Sequence, residues 1–306
     1  MDEKQQRFDK AFTGVSKNNA FDYFNVIFFI VMCFVMLFPF WMVLMTSLVG
    51  PLEASSRIFI WWPRDITFNW YKYVYTTERI PRAFFITGMS TILGTVWAMF
   101  LNMTMSYSLT KDSMPGQKFF VGMLLFTMFF GGGIIPYYLL LRSMGMTNTF
   151  TVLWFPATVG VWNFMLIRAF IKQIPDGLED SAKIDGANEL WIFIRVIIPL
   201  SLPVIAALSL FTAVGIWNSY YSAMVFNATR ADLQTLQLVL RKMIVEKTNL
   251  QEADNEFKRR FGSQVLIFED GIRMATVVVA TVPILVVYPF LQKYFVKGIY
   301  LGSIKG

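Results

Sequence analysis

Residues 178–203 read LEDSAKIDGANELWIFIRVIIPLSLP. Pro175 and Asp176 stop the apolar run that precedes them, and Asp176 has the side chain of an N-cap, so a short polar helix is predicted to start there. Leu178, Ser181, Ala182 and Asp185 fall at i, i+3, i+4 and i+7, on one face of that helix. The face is small and shallow, so another protein surface can approach it closely. Asp185-Gly186 then breaks the helix, glycine being free to take positive φ. Asn188 can cap the next helix, and Pro199 and Pro203 stand at the mouth of the hydrophobic run that follows. Two readings fit these residues: a docking surface for a soluble partner, or an ordinary amphipathic connection between two apolar segments.

The surrounding composition is that of a membrane protein. The chain is 56% hydrophobic, 17% aromatic and 15% charged, with a mean hydropathy of +0.52. A soluble domain carries about 25% charged residues. Six runs, residues 22–48, 83–110, 118–141, 151–171, 196–225 and 273–295, approach or exceed the roughly 20 helical residues that cross a bilayer core. Long apolar runs favour helices over a barrel, whose strands show only weak alternation. The expected fold is therefore an all-α polytopic membrane protein with six transmembrane helices between residues 22 and 295. The first run is longer than a signal-peptide core and is expected to remain as the first span.

Six spans put both termini on one side. The tails 1–21 and 296–306, the turn carrying Lys111 and Lys118, and the loop 175–198 share that side. Segment 49–82, the turn at Arg142 and the long loop 226–272 share the other. Lys and Arg are split almost evenly, but among short connections Lys111 and Lys118 outweigh Arg142, which favours the first side as cytoplasmic. Trp41, Trp97, Trp154, Trp162 and Trp217 lie near span ends or faces, where interfacial aromatics are common.

The net charge of +7 resides at the ends of apolar segments, as membrane anchors do, and implies no nucleic-acid partner. Cys33 is the one cysteine and there is no histidine, so disulfides within the chain, cysteine metal sites, imidazole metal sites and histidine triads are excluded. No G-x-x-x-x-G-K-[ST] phosphate loop is present. No span carries a mid-depth charge of the kind that ion-coupled carriers use. Arg168, near the end of the fourth span, is expected to snorkel.

Asn102, Thr127, Asn163, Asn218 and Ser219 lie inside the spans. They line a substrate path or bond helix to helix, the latter contributing on average about 0.6 kcal/mol each. Gly131–Gly133 with Pro136 permit either a bend at a gate or close helix packing, and packing is favoured because small residues are common at interfaces. Trp217, Tyr220 and Tyr221 could stack on a sugar near the outer mouth or form an aromatic belt. Segment 58–82, with Trp61, Trp62, Trp70, Tyr71, Tyr73 and Tyr75, is expected as an interfacial helix resting on headgroups rather than a sugar platform. Residues 233–244 form an amphipathic piece, followed by a polar stretch, 246–262, suited to a surface cap or an external contact.

Glu179-Asp180-Ser181-Ala182, Asp185-Gly186-Ala187 and Val196-Ile197-Ile198-Pro199 resemble the cytoplasmic "EAA" loop of the inner-membrane subunits of ABC importers. Asp180 stands where the pattern has Glu and Ser181 where it has its first Ala, both conservative changes. FTMFFGGGIIP at 126–136, GIWNSY at 215–220, LQLVLR at 236–241, KYFVKG at 293–298 and GSIKG at 302–306 are similar to the maltose-type, carbohydrate-uptake branch, in its oligo- and polysaccharide subgroup. The resemblance covers nearly the whole chain.

It implies a non-catalytic transport subunit in the bacterial cytoplasmic membrane, with both termini cytoplasmic. Leu178, Glu179, Ser181, Ala182, Asp185 and Gly186 would then form a coupling helix seated in a cleft of a separate ATPase. The tail residues Ser303, Lys305 and Gly306 would reach the same interface. ATP and Mg would be bound by that partner and no cofactor by this chain. The implied partners are a homologous second permease, two ATPase subunits, an extracytoplasmic sugar-binding protein, the oligosaccharide and membrane lipid. The path residues would be Asn102, Thr127, Asn163, Trp217, Asn218 and Tyr220. An importer of a non-sugar solute and an ion-coupled secondary carrier remain the alternatives.

Overall fold

The computed structural model describes residues 20–57, 59–76, 79–156, 159–245 and 269–302. Most of the N-terminal tail, the polar stretch 246–262 and the tail residues Ser303, Lys305 and Gly306 lie outside them. The described chain forms α1 (Ala20–Ser47), α2 (Pro51–Ser56), α3 (Asn69–Thr76), α4 (Arg79–Ser108), α5 (Gln117–Phe129), α6 (Ile134–Ser143), α7 (Val161–Ile171), α8 (Asp176–Ile184), α9 (Glu189–Leu200), α10 (Leu202–Trp217), α11 (Tyr221–Phe226), α12 (Leu236–Val245) and α13 (Glu269–Gly302). The all-α expectation holds, with a lone bridge between Val49 and Ile66 as the β-pairing among the described residues.

Three helices, α1, α4 and α13, are long and apolar enough to cross a membrane unaided. Two further apolar segments are broken rather than straight. α5 and α6 meet at 119°, α9 and α10 at 76°. The first break corrects the expectation that Gly131–Gly133 serve close packing. A Cβ at any of the three glycines would meet nothing within 4 Å, and Gly133 takes φ 83 and ψ 173, a region open essentially to glycine alone. The glycines turn the chain there, and Pro136 sits harmlessly in the first turn of α6. The second break falls between two prolines. Pro199 and Pro203 each remove a backbone donor, and a π-helical stretch, Phe193–Ile197, precedes them.

Residues 151–171, expected as one span, hold a 3₁₀ turn at Phe150–Leu153 and then the 11-residue α7. At 1.5 Å per residue α7 is about 16 Å long, half a bilayer core. Pro156 and Gly160 interrupt the run that composition alone made look continuous.

α4 is the spine. α7 and α10 pack along it, α10 also meets α13, and α13 lies against α1 and α3. At Gly94 the crossing is so close that a Cβ would stand 2.7 Å from Ile216 Cδ1 and 3.3 Å from Trp154 Cβ. At one end of α4, Trp70, Tyr73 and Val74 of α3 are buried with Ile80, Ala83, Trp217, Leu236, Val239, Ile272 and Ala275. This corrects the headgroup-helix expectation for α3, whose apolar face is inserted into the core. Trp61 and Trp62 stay exposed beside Phe34, Phe38, Phe59 and Trp41 of the same region. Asp232 ties the connection between α11 and α12 to the start of α4. It accepts two 2.7 Å bonds from Arg230 and a 3.2 Å bond from Arg82. The Arg230 bonds foremost, opposed by desolvation and aided by the charges of Arg230 and Arg82, lower its pKa to about 2.

Two outcomes are expected. Gly94→Ala must displace the tip of Ile216 and crowd Trp154 by a few tenths of an ångström, whereas Gly94→Val drives further atoms into the crossing and should cost more, about 1–3 kcal/mol, read as a lowered thermal midpoint in detergent. Because the Asp232 pKa is depressed, its tie is complete above the ordinary carboxylate range and is lost only as pH falls through about 2. Hydrogen exchange in residues 226–236 should therefore be equally protected at pH 4.5 and 7 after correction for intrinsic rates, and faster in Asp232→Asn.

Candidate functional site at the α8–α9 loop

α8 starts one residue earlier than a cap at Asp176 would imply. Pro175, extended at φ −60 and ψ 130, holds the cap position, and Asp176 and Glu179 lie in the first turn. Acidic residues there, with Lys183 in the last turn, complement the helix dipole. The helix ends in a Schellman motif. Gly186 sits at φ 80, its N–H donates to the Lys183 carbonyl at 3.0 Å, and the Ala187 N–H donates to the Ala182 carbonyl at 3.0 Å. The Trp191 N–H then donates to Asn188 Oδ1 at 2.8 Å, capping α9. A glycine break and an Asn cap thus set two short helices at a fixed angle.

The four residues predicted to share a face have different surroundings. Ala182 is 8% exposed and packs with Met103 and Tyr107 of α4, Ile167 and Ile171 of α7, and Ile192, Phe193 and Ile197 of α9. Leu178, Ser181, Asp185 and Gly186 remain open to solvent and line a recess with Ala187, Asn188, Trp191 and Val196. Exposed apolar side chains lie on the same two helices, Trp191 among the recess residues themselves. Ile184 is 86% exposed, and Leu190, Trp191 and Ile194 are about half exposed or more. Exposed apolar groups beside a recess are the kind of surface that binds another protein or a membrane. Their signal in the sequence was slight, since each fits the amphipathic pattern of an ordinary loop.

Glu179 faces neither recess nor solvent. Its carboxylate meets the Lys111 ammonium at the end of α4, with the two side chains 18% and 21% exposed. Lys111 also lies 3.5 Å from Glu189, and Lys183 pairs with the other Glu189 oxygen at 3.1 Å. The Tyr107 hydroxyl donates to Glu189 at 2.6 Å, and Lys111 rests 4.4 Å from the Tyr107 ring centroid. The Tyr107 bond, opposed by burial and aided by Lys183 and Lys111, holds the Glu189 carboxyl below its usual range. Tyr107, Lys111, Lys183 and Glu189 were not proposed from the sequence, because their partners lie on other helices.

The proposed path residues do not form one group. Asn102 is buried, donating to the Ala98 carbonyl of its own helix at 2.7 Å. Trp217 is buried as well. Its indole N–H donates to the Ala280 carbonyl of α13 at 3.0 Å and its ring meets Phe84 edge-on, so it joins helices. Asn163 donates to Thr212 at 3.1 Å and links α7 to α10. Thr127 is on α5 with its hydroxyl on the Leu124 carbonyl. Asn218 and Tyr220 are exposed at the end of α10, bonded to Gln237 at 3.1 Å and lying under Arg241 at 5.3 Å respectively.

Residues 11–300 match the family model described as binding-protein-dependent transport system inner membrane component. The chain is 36% identical over 290 residues to the polygalacturonan/rhamnogalacturonan transport system permease protein YtcP of Bacillus subtilis (strain 168), covering 95% of this chain and 100% of that one. It is 37% identical to Protein LplC of the same organism, over 94% and 95% of the two chains. A chain of the crystal structure of a bacterial ABC transporter involved in the import of the acidic polysaccharide alginate superposes with a TM-score of 0.82 at 27% identity, over 94% and 98% of the chains. A chain of the bacterial alginate ABC transporter in complex with an alginate pentasaccharide-bound periplasmic protein shares the fold at 15% identity and a TM-score of 0.54.

The Gly186 geometry gives a test of the loop's construction. Asn tolerates the left-handed region, so Gly186→Asn should leave α8 intact, whereas Gly186→Val should cost about 1–2 kcal/mol. Faster amide exchange at Gly186 and Ala187 positions in the Val variant alone is the expected result.

Proposed function

Because the chain belongs to the family of binding-protein-dependent transport system inner membrane components, we propose that it is one of two permease subunits in a bacterial ABC importer for an oligosaccharide or polysaccharide fragment. The relatives named for polygalacturonan, rhamnogalacturonan and alginate transport support a carbohydrate cargo. The exposed recess and exposed apolar side chains of the α8–α9 loop carry the reading. A surface of this kind on a membrane protein without a phosphate loop fits docking to a separate ATPase, which binds ATP and Mg and performs hydrolysis.

The α5–α6 and α9–α10 pairs each count as one crossing and residues 151–171 as another. Six crossings would put the α8–α9 loop and both termini on one side, and Lys111 and Lys118 in a short turn support reading that side as the cytoplasm, with the 226–272 loop outside, where a sugar-binding protein delivers its load. Ser303, Lys305 and Gly306 extend the ATPase contact. A second permease is supported by the α5–α6 break. Backbone at Gly131–Gly133 is exposed, and irregular backbone at membrane depth needs protein or a water-filled cavity beside it. ATP-driven closure of the ATPase pair moves the α8 helices and turns the permease pair toward the binding protein. Asn218 and Tyr220 are the path candidates that remain open to a passing sugar, with Thr127 on the exposed side of α5.

The assembled complex in lipid nanodiscs tests this. Gly186→Arg should insert normally but abolish the stimulation of ATP hydrolysis by loaded binding protein. Ile184→Asp should weaken ATPase retention by about 1–3 kcal/mol as an apolar anchor is lost. Wild-type stimulation in Gly186→Arg would sink the assignment of the loop.

A further inference from the structure

We propose that Lys111 is a positioning residue that locks the α8–α9 loop to the end of α4, so that the loop and α4 move as one body. The inference rests on the reading of that loop as the ATPase contact. Lys111 follows α4 in the turn toward α5, its N–H on the Ser108 carbonyl at 3.3 Å. Its single ammonium touches both arms of the loop, Glu179 on α8 and Glu189 at 3.5 Å on α9. Tyr107, one turn back on α4, bonds Glu189 at 2.6 Å and stacks against Phe193 of α9 at 5.1 Å. Among the described residues every ion pair that α8 makes belongs to this cluster.

Geometry makes Lys111 the member whose loss matters most. Without its charge, Glu179 loses its ion-pair partner while Glu189 keeps Lys183, and like charges brought together repel. Glu179 and Lys111 are largely shielded from water, so their attraction is screened less than that of a surface pair. Ala182 sits in the core beneath, where side-chain contacts hold it but have little directional preference. The charge cluster supplies the missing direction. Arg168 of α7 also donates to the Leu109 carbonyl at 3.0 Å, so the turn after α4 gathers three helices. From there α4, 30 residues long, runs past its crossing with α10 at Gly94 to its Arg82 tie to Asp232. A push on α8 is thereby delivered to the spine of the bundle.

The experiment uses the full complex of both permeases, ATPase and binding protein in nanodiscs. Lys111→Met should leave assembly and basal hydrolysis unchanged while stimulation by loaded binding protein falls about ten-fold, within the usual span of coupling between sites. Lys111→Arg should retain stimulation. In a Cys33→Ser background, Lys111→Cys with Glu179→Cys should be uncoupled until a short bis-maleimide bridges the pair, and bridging should restore stimulation without either charge. Full stimulation in Lys111→Met, or a bridged pair that stays uncoupled, overturns the proposal. If Lys111→Met does not assemble, the bridged pair decides. A neutral Lys111→Met beside an uncoupled Gly186→Arg overturns the lock alone, whereas a coupled Gly186→Arg overturns the loop reading with it.

Discussion

A solvent that cannot hydrogen-bond governs this protein. In hydrocarbon each backbone N–H and C=O must find its partner within the protein, and a helix does this without help. α1, α4 and α13 are the direct answer, 28, 30 and 34 residues long. Where the chain departs from a straight helix it does so at residues suited to the departure. Three glycines lie at the α5–α6 corner and two prolines flank the α9–α10 corner. Each corner leaves backbone groups without the partners that a continuous helix would supply.

α4 converts that constraint into an architecture. Its middle is crossed at Gly94 by α10, and its two ends are tied by charge. At one end Arg82 reaches Asp232, and at the other Lys111 reaches Glu179 and Glu189. The exposed Arg82–Asp232 pair contributes little to stability, and the Lys111–Glu179 pair, more shielded, is also partly offset by the cost of its burial. Their use here is geometric, since apolar contacts hold surfaces together without fixing their angle, while a paired ammonium and carboxylate prefer one arrangement. The loop that carries the recess is thus attached to the bundle both by packing, through Ala182, and by direction, through Lys111.

Residues that looked alike in the sequence have separated in the structure. Trp217 and Tyr220 lie three positions apart with equal claim to a sugar path, yet Trp217 is 8% exposed and bonded to α13 while Tyr220 is open. Asn102 and Asn218 differ in the same way. The aromatic segment around Trp70 has in sequence the composition of an interfacial helix resting on headgroups. Its buried face became visible only with α12 and α13 in place to receive Trp70, Tyr73 and Val74. Ile184, Leu190 and Trp191 went unnoticed because exposure is not a property of residue type.

Composition and order along the chain were enough to establish an all-helical membrane protein, the position of the loop between two apolar runs and the Gly186 break within it. Those features depend on local quantities, namely segment length, hydropathy and the φ range open to glycine. The direction each helix faces, the bends at 119° and 76°, and the partners of Glu179 depended on the folded bundle. The reason is distance along the chain. Lys111 and Glu179 are separated by 68 positions, and Trp217 and Ala280 by 63, so no window of sequence contains either pair. Packing of α4 against its neighbours brings them together, and with them the surface on which the loop presents its recess.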